Sequence, residues 1–82
     1  MNALPPLPDV PPGHYRHHKG GEYEVLGVVR HSETLEPLVL YRPLRDPAAL
    51  WVRPHAMFTE TVEVGGRHLP RFARIGPATP PG

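Results

Sequence analysis

The sequence predicts a small all-β fold, a partly open barrel of about five to six short strands with one short helical or 3₁₀ turn. Three observations carry that expectation. β-branched and aromatic residues recur with a period of two rather than 3.6, in short runs bounded by glycine and proline. Two glycine pairs, Gly20-Gly21 and Gly65-Gly66, fall between such runs, where a tight hairpin needs backbone of positive φ. No heptad pattern or internal repeat runs along the chain.

The first strand is expected over residues 14–19, turning at Gly20-Gly21 into a second over 22–30. Gly27 interrupts that second run and predicts a bulge or sharp bend, the device by which small barrels turn corners. A third strand over 37–42 and a fourth over 50–53 follow. Pro54 ends the fourth, and residues 55–60 suffice only for a single turn that pushes Met57 and Phe58 into the barrel end. Residues 61–64 and 67–72 complete the fold as a last hairpin across Gly65-Gly66.

Thirteen prolines punctuate the 82 residues. They concentrate at both ends, so residues 1–12 and 76–82 read as extended, disordered tails around one domain at 13–75. The Pro5-x-x-Pro8 and Pro8-x-x-Pro11 spacings have the form of groove-binding segments, with a solvated leader as the plainer alternative. A domain this small buries only about 60% of its unfolded surface, so its core is thin. Val25, Leu40 and Phe58 are candidate core residues. The chain has no cysteine, which removes disulfides and thiolate metal sites and fits a reducing compartment. It shows neither a basic leader nor an uninterrupted apolar run, so neither a signal peptide nor a membrane partner is expected and the cytoplasm is the expected location.

Net charge is +1, well below the excess of a general nucleic-acid binder, but its distribution is uneven. Residues 10–21 carry Arg16, Lys19 and three histidines without an acid, and Arg67, Arg71 and Arg74 lie in a second acid-free stretch. Lys19 is the one lysine; every other cation is arginine, suited to bidentate oxyanion contacts and to stacking.

Five clusters stand out: Tyr15-Arg16-His17-His18-Lys19-Gly20-Gly21, His31-Ser32-Glu33-Thr34, Glu36-Pro37-Leu38-Val39, Trp51-Val52-Arg53-Pro54 and Met57-Phe58. Together, from about Gly13 to Phe72, they resemble the small bacterial family DUF1653, a domain of unknown function. The sequence departs from the family pattern at His18, where an aromatic residue such as Tyr is expected. The resemblance implies an SH3-like β-barrel and brings no activity, substrate or cofactor with it.

On alternating strands, Leu38, Leu40, Leu50 and Val52 are expected to face inward, leaving Tyr41, Trp51 and Arg53 as an outer aromatic and cationic platform. The alternative places Trp51 in the core as its largest filler. Arg16, His17 and Lys19 beside Tyr15 and Tyr23 suit phosphate binding or base stacking, or else a charged strand edge that resists aggregation.

His31, Ser32 and Glu33 have the letters of a hydrolase triad, but neighbours in an extended loop project to different sides. They read either as a turn fixed by the Ser32 and Thr34 hydroxyls, or as side chains that reach Arg53 or His17 across a shallow groove. Six histidines have no recognised metal spacing, so neither metal nor other cofactor is expected. The function read from these residues is a non-enzymatic recognition module for a protein, a nucleic acid or a small anionic ligand. Its binding residues are Arg16, His17, Lys19, Tyr23, His31, Glu33, Tyr41, Trp51 and Arg53. The alternative is a small enzyme acting on a nucleotide-like or carbonyl substrate, with His31 as acid or base and Arg53 as electrostatic stabiliser.

Overall fold

The computed structural model describes residues 4–78. Its elements in chain order are β1 (Gly13–His17), β2 (Glu22–Arg30), β3 (Pro37–Pro43), β4 (Trp51–Pro54), α1 (His55–Phe58), β5 (Thr61–Val64), β6 (Arg67–Pro70) and β7 (Phe72–Gly76). Five strands form an antiparallel sheet in the order β4-β3-β2-β1-β7, and β5 and β6 pair as a separate hairpin. The fold is all-β, as the alternation predicts, and its sheets do not close into a barrel.

Glycine sets two of the turns. Gly65 and Gly66 have φ of 58° and 79°, the pair of positive values that a two-residue hairpin needs. Gly20 has φ 104° in the longer loop of residues 18–21, where Gly20 N–H donates to His17 O at 2.7 Å and His17 N–H to Gly21 O at 2.7 Å. This closure ends β1 at His17, leaving His18 and Lys19 in the turn rather than in the strand. The expected bulge in β2 is present. Val25 pairs with Tyr41 and Gly27 with Leu40, so Leu26 is the extra residue.

The core comprises Val10, Tyr15, Val25, Val39, Tyr41, Phe58 and Phe72, and stacked Phe58 and Phe72 rings lie 4.2 Å apart at its centre. Phe58 enters it as expected, while its neighbour Met57 is exposed. Val25 is buried and Leu40 only half-buried. Val10, in the stretch read as a solvated tail, is 5% exposed. Tyr15 secures that stretch by donating its hydroxyl to Pro11 O at 2.7 Å. The outer ends of both expected tails, residues 1–3 and 79–82, lie outside the described residues.

The run expected as one strand over 67–72 divides at Arg71. There the backbone changes partners: Arg71 N–H donates to Glu60 O, and Arg71 O accepts from His18 N–H, each at 3.0 Å. β6 therefore stays with β5, while β7 crosses to β1 and pairs Phe72 with His17.

Candidate functional site

Leu38 is buried as expected, but otherwise the facing of β3 and β4 is the reverse of the sequence expectation. Val39 and Tyr41 point into the core, at 0% and 3% exposure, and Trp51 and Arg53 lie directly opposite Tyr41 and Val39 on the same side. Leu50 and Val52 are exposed instead. Aromatic packing decides the inversion. The Tyr41 ring meets Tyr23, Phe58 and Phe72 at 5.5, 5.7 and 5.8 Å, an area of contact that the leucine set could not supply from the same strand.

Tyr41 is thus a supporting residue beneath the site rather than part of an outer platform. Trp51 lies at the open rim of this aromatic layer, 6.1 Å from Tyr41 and 6.5 Å from Tyr23, and is 48% exposed. It neither fills the core nor stands on an outer platform. Beside it the Arg53 guanidinium carbon sits 5.4 Å from the Phe72 ring centroid, and Arg53 Nε donates to the Tyr41 hydroxyl at 3.3 Å. The plane and the inner edge of this cation are both held. The short β4 puts Trp51 and Arg53 at i and i+2, so both project from one face.

His17 closes the other side, its ring 4.9 Å from Phe72 and 4.4 Å from His18. Its Nδ1 accepts the Lys19 N–H at 3.2 Å, which fixes the ring against the turn. The His17 pKa is pushed below its ordinary value by burial first, and then by repulsion from His18, Arg53, Arg71 and Lys19. Arg71 is ion-paired with Glu60. The rim continues into a groove of about 380 Å³ lined by Gly20, Gly21, Tyr23, Pro43, Arg45 and Trp51.

Four of the nine residues singled out in the sequence therefore meet at this mouth: His17, Tyr23, Trp51 and Arg53, with Tyr41 below them. Lys19 sits in the adjoining turn. Arg16 belongs to the outer face of the sheet, where its Nη2 binds Glu22 at 2.9 Å. His31 and Glu33 are elsewhere, in the β2–β3 turn. His31 Nδ1 accepts the Glu33 and Thr34 N–H groups at 3.0 and 3.2 Å, and the Thr34 hydroxyl accepts the Glu36 N–H at 3.3 Å. The turn reading holds for the Thr34 hydroxyl, but the His31 imidazole rather than the expected Ser32 hydroxyl accepts the other backbone N–H groups. The register separates His31 from Arg53 by two strand spacings and by three residues along the sheet, about 10 Å in each direction.

His17 and His18 are adjacent, but among the described residues no group of three or more His, Asp or Glu converges as metal ligands would. Phe72 and Arg71, which support and flank the site, escaped the sequence reading. Their one local signal is the basic–aromatic pair itself, because their contacts with β1, β4 and Glu60 are long-range.

A family model for a protein of unknown function, DUF1653, matches residues 13–74. The chain belongs to the DUF1653 family. The match begins at the first residue of β1 and ends inside β7, so the DUF1653 unit contains every residue of the mouth. A crystal structure of a DUF1653 protein from Bordetella bronchiseptica shares 40% identity with this chain and superposes with a TM-score of 0.76, covering 88% of this chain and 95% of that one. No curated protein matches the chain. Among the described residues no helix is long and apolar enough to cross a membrane.

Proposed function

We propose that this DUF1653 domain is a small, non-enzymatic recognition module of a bacterial cytoplasm, an SH3-like barrel left open on one side, that captures its ligand at the mouth formed by Tyr23, Trp51, Arg53 and His17. One observation carries the reading: the chain's single tryptophan is half-exposed beside a guanidinium already fixed by Phe72 and Tyr41. Covering an indole contributes favourable burial to binding, and a held cation loses little side-chain freedom on contact. Exposed Trp, Tyr and Arg together are the composition of binding hot spots. The recognised classes are a peptide, a nucleic acid or a small anionic ligand. A chain without cysteine needs no oxidising compartment to fold, which supports the cytoplasmic setting.

The separation of His31 from Arg53 favours recognition over the enzymatic reading, since an acid–base group and an electrostatic stabiliser must reach one reacting atom. Affinity capture from native lysate tests the proposal, with Trp51→Ala and Arg53→Ala beside Arg74→Ala as the control away from the mouth. Capture that is lost in the first two variants and kept in the third, with all three folded by circular dichroism, supports it. Capture indifferent to Trp51 and Arg53 overturns it.

A further inference from the structure

The arginines of this domain fall into two kinds. Arg16, Arg42 and Arg71 each hold a carboxylate, that of Glu22, Glu24 and Glu60 respectively. Arg53 belongs with Arg30, Arg45, Arg67 and Arg74, none of which holds a carboxylate among the described residues. Its Nε is committed to Tyr41 and its plane to Phe72, while its two terminal amino groups make no hydrogen bond or ion pair with a described residue. A guanidinium fixed in this way presents a preorganised fork of donors, the geometry that grips an oxyanion through two parallel bonds.

The field around that fork has one sign. His17 is repelled by His18, Arg53, Arg71 and Lys19, and of these Arg71 is paired with the Glu60 carboxylate. The second guanidinium is itself incompletely satisfied: Arg71 Nε is buried without a hydrogen-bond partner. A cation such as Arg53, held beside other cations and without a carboxylate of its own, costs free energy that a bound anion offsets.

The ring beside the fork narrows the ligand further. Trp51 and Arg53 point the same way from alternate positions of β4, about 7 Å apart along the strand. A ligand that satisfies both places a flat aromatic ring and an oxyanion within one short molecule. Arg16 and Arg42 pair with their own carboxylates on the opposite face of the sheet, so a ligand that extends from Trp51 meets Arg45 in the groove rather than a continuous track for a phosphate backbone.

We propose that the mouth binds a nucleoside 5′-monophosphate unit, its phosphate held by the terminal amino groups of Arg53 with His17 and Arg71 around it, and its base stacked on Trp51. This deepens the recognition reading and rests on it.

Trp51 is also the single fluorophore of its kind, so the titration reads the site directly. The probes are AMP, adenosine, inorganic phosphate and a single-stranded DNA decamer, added to the full chain at constant ionic strength. AMP is expected to quench Trp51 saturably, with adenosine and phosphate each weaker by about tenfold or more. Arg53→Lys, which keeps the charge and removes the fork, is expected to weaken AMP by about tenfold while leaving the melting temperature close to that of the parent. AMP and phosphate of equal affinity, or AMP unaffected by Arg53→Lys, overturns the proposal. So does a decamer that binds far more tightly than AMP with a steep salt dependence, which indicates a strand-tracking surface. Silence from all four probes, with capture from lysate still dependent on Trp51 and Arg53, overturns the nucleotide assignment alone and leaves the recognition module standing.

Discussion

Glu24 and Arg42 form an ion pair across β2 and β3, with Nε and Nη2 of Arg42 donating to the same carboxylate oxygen at 3.0 and 2.7 Å. The register sets the two residues opposite each other, and Glu24 is only 3% exposed. From β1, His14 Nε2 lies 3.8 Å from the other Glu24 oxygen, so a polar row crosses three strands on the side of the sheet away from the aromatic core. A carboxylate withdrawn from water carries a penalty of several kcal/mol that its partners must offset.

Arg42→Ala removes the main offset and is expected to destabilise the domain by about 2–4 kcal/mol, below the full range for a buried pair because the Arg42 side chain is 33% exposed. In so small a domain that is a large share of the total stability. Urea unfolding followed by fluorescence measures it as a lower midpoint at unchanged slope. A loss under about 0.5 kcal/mol would place the pair among ordinary surface salt bridges.

His17 makes stability depend on pH in a defined direction. Its pKa in the folded chain lies below the ordinary 6.5, through burial and then through repulsion by His18, Arg53, Arg71 and Lys19. Between the folded pKa and 6.5 the unfolded chain binds more protons, so stability falls as the pH drops through this window and levels off below the folded value. Imidazole NMR is expected to show His17 titrating below 6.5, and Arg53→Gln is expected to raise that midpoint by removing one repulsive charge. A His17 midpoint at or above 6.5 in the parent contradicts the arrangement of cations around it.

Leu35 has φ 65° in the β2–β3 turn, a left-handed conformation that a branched side chain adopts at a cost. The side chain is exposed, so little packing is lost when it is removed. Leu35→Gly is therefore expected to stabilise the domain by about 0.5–1 kcal/mol, seen as a higher melting temperature. Leu35→Val, which adds β-branching at the same φ, is expected to lower it.

The sequence reveals the strands more clearly than their facing. Gly20, Gly65 and Gly66 act locally through positive φ, so their turns are legible from residue type, and Gly27 marks the bulge from the position after its extra residue, Leu26. β3 is different, because both of its faces are apolar: Leu38 and Leu40 alternate with Val39 and Tyr41, and alternation cannot tell which set is buried. Phe58 and Phe72 settle it from other elements. The same long-range packing draws His17, Tyr23, Trp51 and Arg53 together and leaves His31 and Glu33 in their turn. The break at Arg71 is legible only from its partners, Glu60 and His18, which adjoin strands of different sheets, β5 and β1.

Met57 and Phe58 are adjacent in α1 and separate the core from its surface within one turn. Phe58 is 2% exposed and stacks on Phe72 with an interplanar angle of 6°, while also meeting Tyr15 and Tyr41. Phe58→Ala removes the ring on which these contacts depend and is expected to cost about 3–5 kcal/mol, as a transfer loss plus a cavity that so small a fold cannot close. Met57 is 45% exposed, and Met57→Ala is expected to stay within about 1 kcal/mol of the parent. Phe58→Leu separates volume from stacking: it keeps most of the apolar bulk, so a cost close to that of Met57→Ala would mean that filling alone matters. A cost of about 2 kcal/mol or more would show that the aromatic pair contributes beyond its area, as edge and stacked geometries do. Chemical denaturation of the three variants checks all of these outcomes. Equal losses for Met57→Ala and Phe58→Ala would contradict the placement of α1.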